Sequence, residues 1–424
     1  MRALLAGALL AVPPPASAAA PQCQEPGQVI APVPWPQRAL LPQRAYPLAT
    51  GAGITVAVLD SGVDAAHPQL AGQVLGGRDY LYSAGGRGDR DCVGHGTAVG
   101  SIIAARAVDG AGFRGIAPGA RLLPVIVSER RSDGEESSGE AVSPARFATA
   151  VRDAVAAGAG IINISAVFTA DDPAVRAAVE FATGANVLVV AAAGNSATDG
   201  NPTPYPAAYP DVLGVGAVDE SGRVLDESGR GDFVDLVAPG DGVVAATRQR
   251  GHAVLRGTSF ATAFVSGAAA LVRQYHPDLD ARAVARRLIA TASPSPGGPR
   301  SDAYGAGAVD PYRAVTERLV AADPTAAAAP LVPRVDPAAV ARAREWQRLT
   351  VTALRLCAGL LGVALAGALI VVARRRGRWR RWRPARAAPA REPTLAPLGP
   401  PVGLLDDLSP GDHEAYSASR FSPQ

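Results

Sequence analysis

Short runs of branched and apolar residues recur through the middle of the chain, each long enough for one strand. Residues 54–59, 122–127, 161–164 and 187–191 have this character, and stretches of helical composition such as 145–157 lie between them. Strands that alternate with helices indicate a parallel sheet covered by helices on both faces. The sequence therefore predicts an α/β fold with a mostly parallel central sheet, in which sites form at the carboxyl ends of the strands.

The same pattern continues toward the C-terminal part of this region. Residues 173–183 predict a further helix, and residues 212–218 and 233–237 predict further strands. A long helix of small residues is expected to start near Ser259, and another to cover residues 280–291. The chain has 424 residues, which is enough for one large domain or two ordinary ones.

The N-terminus carries an apolar segment that does not belong to this core. Residues 1–18 combine an early arginine, a run of ten apolar residues and a small-x-small cleavage pattern at residues 16–18. This arrangement is typical of a secretory signal peptide. The alternative is an uncleaved anchor, but about ten apolar residues are too few to span a bilayer.

A second apolar segment lies near the C-terminus. Residues 351–373 contain one charge, Arg355, and predict a single transmembrane helix. A cluster of arginines begins at Arg374, so the positive-inside rule places residues 374–424 in the cytoplasm and the preceding domain outside. We therefore expect a single-pass protein of the cell membrane with an extracytoplasmic domain. Residues 321–350, rich in alanine and proline, are predicted to be a linker, and the tail is predicted to be disordered.

The distribution of charge argues against nucleic acid as a partner. The chain has a net charge of +3, but ten arginines and only five acidic residues lie beyond residue 373. The remainder is therefore net acidic, whereas nucleic-acid binding requires basic residues on the folded domain.

Two of the three cysteines lie in the part that is predicted to be exported. Cys23 and Cys92 would meet an oxidising compartment, which favours a disulfide between them over the alternative of two free thiols. Such a bond would tie the mature N-terminus to a point just before His95. Cys357 falls in the predicted span and is interpreted as a small apolar residue.

Four residues with catalytic chemistry stand at predicted strand ends or helix starts. Asp60 ends the first strand in VLDSG, and a buried acid there needs a partner such as an imidazole N–H. His95 lies between two glycines in GHGT, and Ser259 begins a helix in GTSFA, where its hydroxyl is exposed near backbone N–H groups. Asn195, in AAGN, can donate from its amide to an oxyanion. These are the orienting acid, the base, the nucleophile and the oxyanion donor of a serine hydrolase.

The other polar residues favour structural interpretations. His67 is expected to be structural, His252 and His276 to lie at the surface, and Asp64 to support the turn after the first strand. No residues have the spacing of a zinc site or of a calcium loop, so we predict no metal and no cofactor.

The four motifs, in the order Asp, His, Asn, Ser, resemble those of the subtilisin-type serine proteases. The resemblance covers residues 51–315 and implies a three-layer subtilisin-like peptidase domain, here given the bounds 51–320. It further implies a catalytic triad of Asp60, His95 and Ser259, with Asn195 and the Ser259 backbone N–H in the oxyanion hole.

Further features resemble the mycosins, subtilisin-like proteases attached to type VII secretion systems of actinobacteria. They are the signal peptide, the PWPQR and YPLATGAG segments, the Asp-Cys pair close to His95, and the C-terminal span. The resemblance implies that residues 19–50 wrap around the catalytic domain and are held by the Cys23–Cys92 disulfide. It also implies protein or peptide substrates exported by a type VII system and contacts with components of its membrane complex. The alternative is that the chain acts mainly as a scaffold of that complex, with cleavage secondary.

Two features depart from the family pattern. Many subtilisins carry glycine where Ala166 or Val167 stands, so a side chain there is expected to narrow the substrate cleft. The tail of 51 residues after residue 373 is long for a mycosin, and its alternative interpretations are a solvated disordered tail and a binding segment for a cytoplasmic partner.

Overall fold

The structure is a computed structural model of the full chain. It describes residues 23–319, except 83–85, 130, 134–135, 139, 295, 297 and 299, together with 362 and 365–376. Residues up to 322 form one compact unit and the remainder forms another. Residues 365–376 of the second unit are helical.

The first unit consists of alternating strands and helices. Its helices are α1 (Trp35–Leu40), α2 (His95–Ala104), α3 (Pro144–Ala156), α4 (Pro173–Gly184), α5 (Thr258–Tyr275), α6 (Ala281–Ala290) and α7 (Pro311–Thr316). Its strands are β1 (Thr55–Asp60), β2 (Arg78–Asp79), β3 (Arg121–Ile126), β4 (Arg131–Asp133), β5 (Glu136–Ser138), β6 (Ile161–Ile164), β7 (Leu188–Ala192), β8 (Val212–Val218), β9 (Leu236–Pro239), β10 (Val243–Ala246) and β11 (His252–Leu255).

The central sheet has seven strands in the order β2-β3-β1-β6-β7-β8-β9, and every neighbouring pair is parallel. The prediction of a mostly parallel sheet is therefore confirmed. The strand predicted at residues 233–237 begins later, at Leu236. Two short antiparallel pairs, β4–β5 and β10–β11, lie outside the main sheet.

Alternate residues of the central strands enter two separate hydrophobic cores. In β1, Val56 and Val58 belong to the core that contains α2 and α5, whereas Ala57 and Leu59 belong to the core that contains α3 and α4. Strands that are covered on both faces explain why the sequence shows continuous apolar runs rather than alternation. The result is three layers, helix–sheet–helix.

Helix α5 passes through the centre of one core. Its first fifteen residues, from Thr258 to Val272, are buried. A helix that is buried on all sides must be apolar or small all round, and five alanines allow this one to pack closely against the sheet and α2. The first residues of α5, including Ser259, are thereby held at the carboxyl edge of the sheet.

The N-terminal residues run along the domain and differ from the prediction in one respect. Residues 32–47 are rich in proline, which predicts an extended arm, but residues 35–40 form helix α1 and Pro42–Arg44 form a turn of 3-10 helix. The Gln37 side chain donates to the Arg114 carbonyl oxygen over 2.8 Å, and the Trp35 indole donates to the Asp241 carbonyl oxygen over 2.9 Å. These contacts attach the arm to the domain at separate points.

In the part of the chain that the structure describes, no helix has both the length and the apolar character needed to cross a membrane. Most of the predicted span at residues 351–373 lies outside the described residues. The predicted signal peptide at 1–18, the whole linker at 321–350 and most of the tail at 374–424 lie outside them as well.

Candidate active site

The predicted acid and base meet at the end of the first strand. Asp60 is the last residue of β1, and His95 is the first residue of α2. His95 Nδ1 lies 2.7 Å from Asp60 Oδ1. Because a carboxylate can only accept, Nδ1 carries the proton, and Nε2 is left as the basic nitrogen of the ring.

The environment favours the charged form of both groups. Burial alone would raise the pKa of Asp60, but the charge and hydrogen bond of His95, with the Ser61 N–H, hold it below its usual value. Burial alone would lower the pKa of His95, but the Asp60 carboxylate outweighs it and raises the pKa. An imidazole of this kind accepts a proton readily and is stabilised when it holds one.

Glycine on each side of His95 allows helix α2 to start against the end of β1. Gly94 has a φ of +86°, which favours glycine. A methyl group on Gly96 would lie 2.1 Å from the carbonyl oxygen of Gly62 and 3.1 Å from the Asp60 Cβ. The Gly-His-Gly sequence is therefore a condition for the close approach of imidazole and carboxylate.

A buried acid that sequence reasoning did not assign organises the same helix start. Asp91 accepts from the Gly94 N–H over 2.7 Å and from the Thr97 N–H over 2.8 Å, and also from the hydroxyls of Ser61 and Thr97. Burial raises the pKa of Asp91 to about 6, although these donors oppose that effect. Asp91 thus fixes the first turn of α2, and with it the position of His95. Its place in DCVGHGT was the available signal, because an acid before a helix start can accept from the first N–H groups.

The predicted nucleophile lies at the start of α5. Ser259 is the second residue of that helix and is 8% exposed. The next residue, Phe260, places its ring 5.3 Å from the His95 ring. Among the described residues, Ser259 and His95 line one cleft, and no hydrogen bond joins their side chains. Such catalytic contacts commonly tighten only when substrate binds.

Asn195 lies just after β7 and is oriented by the residue before Ser259. Its Oδ1 accepts from the backbone N–H of Thr258 over 2.9 Å and from the Thr258 hydroxyl over 3.0 Å. These two donors identify Oδ1, so the Nδ2 group remains as the donor on the other side of the amide. Asn195 lines the same cleft as Ser259 and can therefore donate to an oxyanion there.

The cleft has a volume of about 490 Å³ and includes Asp60, His95, Asn195 and Ser259. Its walls are mainly small or apolar, among them Ala166 and Val167. A Cβ on Gly194 would lie 3.7 Å from Val167 Cγ1, so the valine side chain occupies space close to the cleft floor. The three distant segments of the chain that carry the predicted triad therefore converge on a single concave site.

The subtilase family (Peptidase S8) matches residues 51–307 of the chain. The chain belongs to the subtilase family. As a subtilase it is a serine protease, and the matched residues contain all four predicted catalytic positions.

Relatives of this subtilase include mycosins. Mycosin-1 of Mycobacterium tuberculosis is 35% identical over 390 residues, which cover 81% of this chain and 85% of the relative. The crystal structure of MycP1 from Mycobacterium smegmatis is 31% identical, has a TM-score of 0.60, and is matched over 70% of this chain and 89% of its own. The structure of the MycP3 protease from the type VII (ESX-3) secretion system is 34% identical, has a TM-score of 0.58, and is matched over 70% and 93%. The predicted mycosin-type subtilisin fold is thus confirmed.

A disulfide joins Cys23 to Cys92. The Gln24 N–H adjoining it donates to the Cys92 carbonyl oxygen over 2.7 Å. The N-terminal arm of this subtilase is therefore covalently fixed three residues before His95.

The remaining histidines differ from the prediction in one case. His252 was predicted at the surface, but it is only 6% exposed, and that prediction is wrong. Its Nδ1 accepts from the Ile30 N–H over 3.0 Å, and its Nε2 lies 2.6 Å from Gln69 Oε1. No motif around His252 predicts this contact, because the partners lie far apart along the chain. His276 is half-buried against the Val315 carbonyl oxygen, 2.8 Å away.

His67 and Asp64 have the structural surroundings that were predicted. His67 is buried, and its Nε2 lies 3.1 Å from the Gly251 carbonyl oxygen. Asp64 accepts from the backbone N–H groups of Ala66 and Gln249, so it closes the turn after β1. Among the residues that the structure describes, there is no group of three or more His, Cys, Asp or Glu residues able to hold a metal ion.

Proposed function

We propose that this subtilase is a membrane-anchored endopeptidase outside the cytoplasmic membrane, and that it processes proteins exported by a type VII secretion system. The observation that carries the catalytic part is the 2.7 Å pair of His95 Nδ1 and Asp60 Oδ1 in the cleft that also contains Ser259. The location and the secretion system are proposed from the segments 1–18 and 351–373 and from the similarity to mycosins.

In the proposed reaction, His95 Nε2 takes the proton of the Ser259 hydroxyl as its oxygen attacks the peptide carbonyl. Asp60 keeps the imidazole in the tautomer that leaves Nε2 free, and its carboxylate stabilises the imidazolium. The oxyanion accepts from Asn195 Nδ2 and from the Ser259 backbone N–H. The imidazolium then gives its proton to the leaving amine, and water releases the acyl group by the reverse sequence.

The bounds of the proposed parts follow from the same reasoning. We assign residues 1–18 to a signal peptide, 19–50 to an N-terminal extension, 51–320 to the peptidase domain and 321–350 to a linker. Residues 351–373 would form the span and residues 374–424 a cytoplasmic tail. The side chains of Ala166 and Val167 in the cleft favour selective processing over broad degradation.

Replacement of Ser259 by alanine tests this function. Cells that produce the variant should lose processing of the exported protein, while the variant accumulates at the wild-type level. Total secretion is measured in the same samples, because retained secretion would separate cleavage from a scaffold role. A Ser221→Ala variant, which changes an exposed loop serine, is the matched control. Processing that continues unchanged in Ser259→Ala would refute the catalytic assignment.

A further inference from the structure

A second cavity adjoins the cleft on the other side of the catalytic residues. Its volume is about 340 Å³, and it shares His95, Asn195 and Ser259 with the first cavity. Its remaining wall comes from the arm, the loop before α2, and β11 with the residues near it: Gln24, Val93, Gly94, Val254, Leu255, Arg256 and Phe260. Since a peptide extends in both directions from the bond that is cut, each cavity can hold one half of a substrate.

The second cavity is placed for the half that follows the scissile bond. The leaving amine must take its proton from the imidazole, so that half departs beside His95. Val93 and Gly94, which precede His95 in the chain, line only the second of the two cavities. The first cavity, with Val167 and Phe168, is then left for the acyl half.

Gln24 is the part of the arm that lines this cavity, and it is held tightly. It follows the disulfide-bonded Cys23, and its Oε1 accepts from the Arg248 N–H over 3.0 Å. Its amide lies directly on Gly94, where an added methyl group would be 1.8 Å from Oε1. The side chain is therefore preorganised before a substrate arrives.

The amide of Gln24 has an unused donor. The end of the Gln24 amide that accepts from the Arg248 N–H must be the oxygen Oε1, so the other end is the nitrogen Nε2. Nε2 donates to no acceptor among the residues that the structure describes. Arg256, the cationic side chain in this wall, is already paired with Glu227 and Asp241. Gln24 Nε2 is thus the donor in the arm that is available to a peptide carbonyl.

We propose that Gln24 is a substrate-binding residue, which donates from Nε2 to a backbone carbonyl in the half of the substrate after the scissile bond. The inference rests on the proposed proteolytic function and assigns part of its substrate site to the N-terminal arm. The Cys23–Cys92 disulfide then serves substrate recognition as well as stability, because it fixes the position of Gln24.

The substitution Gln24→Glu separates these roles. A carboxylate keeps an acceptor for the Arg248 N–H but has no donor in place of Nε2. Gln28→Glu makes the same chemical change on an exposed residue of the same arm, outside the cavity, and is the matched control. Thermal unfolding of both full-length variants should match that of the wild type.

Two ligands with the same acyl half distinguish the cavities. One is a peptide 4-nitroanilide, whose leaving group carries no backbone carbonyl, and the other is a quenched fluorescent peptide that continues for four residues after the scissile bond. Their dissociation constants are measured on the full chain carrying Ser259→Ala, so the comparison needs no turnover. Their kcat/KM values are then compared on the chain with Ser259.

Loss of one hydrogen bond should weaken the continuing peptide about threefold to tenfold relative to the anilide in Gln24→Glu. Gln28→Glu should leave that ratio at the wild-type value. An unchanged ratio in Gln24→Glu, or an equal effect on both ligands, would overturn the inference. Failure of the proposed function is a separate result, namely hydrolysis at the wild-type rate by Ser259→Ala.

Discussion

Acid should destabilise this subtilase through the buried ring of His252. Both ring nitrogens are used in the folded state, one as acceptor for the Ile30 N–H and the other beside Gln69 Oε1. Burial, together with the nearby His67, lowers the pKa of His252 from 6.5 to about 4. Protonation would end the acceptor role of Nδ1 and release the arm at Ile30.

The size of the effect follows from the two pKa values. The unfolded chain takes up a proton as the pH falls below 6.5, whereas the folded chain takes it up only near pH 4. Stability is therefore greatest above pH 6.5 and is lost progressively as the pH falls toward 4. At about 1.4 kcal/mol per pH unit, His252 accounts for about 3 kcal/mol of lost free energy of unfolding.

Urea unfolding of the full chain in detergent, followed by tryptophan fluorescence at pH 7 and pH 4.5, measures this loss. A His252→Gln variant is less stable at pH 7 but should lose about 2 kcal/mol less than the wild type between the two values. A His276→Gln variant removes a histidine elsewhere and should follow the wild type. The same pH dependence in His252→Gln as in the wild type would show that burial of His252 does not cause the loss.

Three further predictions concern the active site and the arm. Asn195→Ala should lower kcat about 100-fold to 1,000-fold in steady-state assays because an oxyanion donor is lost, and a fall below tenfold would contradict that role. Because Asp60 raises the pKa of His95 above its usual value of 6.5, the acid limb in the pH profile of kcat/KM should lie above pH 6.5. An acid limb at or below pH 6.5 would argue against the His95–Asp60 pair. The Cys23–Cys92 disulfide closes a loop of 69 residues, so the double serine variant should lose about 4 kcal/mol in urea unfolding, and an unchanged midpoint would exclude that contribution.

The main features of the fold were predictable because they depend on local patterns. Continuous apolar runs such as residues 54–59 identify strands covered on both faces, and β1 (Thr55–Asp60) begins and ends within one residue of that prediction. Helix starts were also predictable where a cap is present in the sequence. Asp280, for example, accepts from the Ala283 N–H at the start of α6.

The contacts between distant segments were not predictable from local patterns. His252 was assigned to the surface because nothing near it in sequence shows that Ile30 and Gln69 enclose it. Helix α1 was missed because the surrounding prolines suggested an extended chain, whereas Pro36 stands at the start of the helix, where proline is tolerated.

The candidate site illustrates both cases. The identities of Asp60, His95, Asn195 and Ser259 followed from their motifs, because each chemistry demands particular neighbours such as the glycines beside His95. The support provided by Asp91 and the place of Gln24 beside His95 depend on the packed structure. Asp91 had a local signal in its position before the helix start, whereas the place of Gln24 could be recognised only once the arm and the helix start were seen together.

We propose that Ser259 is made nucleophilic by His95, which is held by Asp60. Treatment of the full chain with a fluorophosphonate, followed by mapping of the modified peptide by mass spectrometry, identifies the reactive serine. We expect a single modified residue, Ser259, with labelling lost in His95→Ala and retained in Ser221→Ala. Labelling at another serine, or labelling of Ser259 that persists at the wild-type rate in His95→Ala, would contradict it.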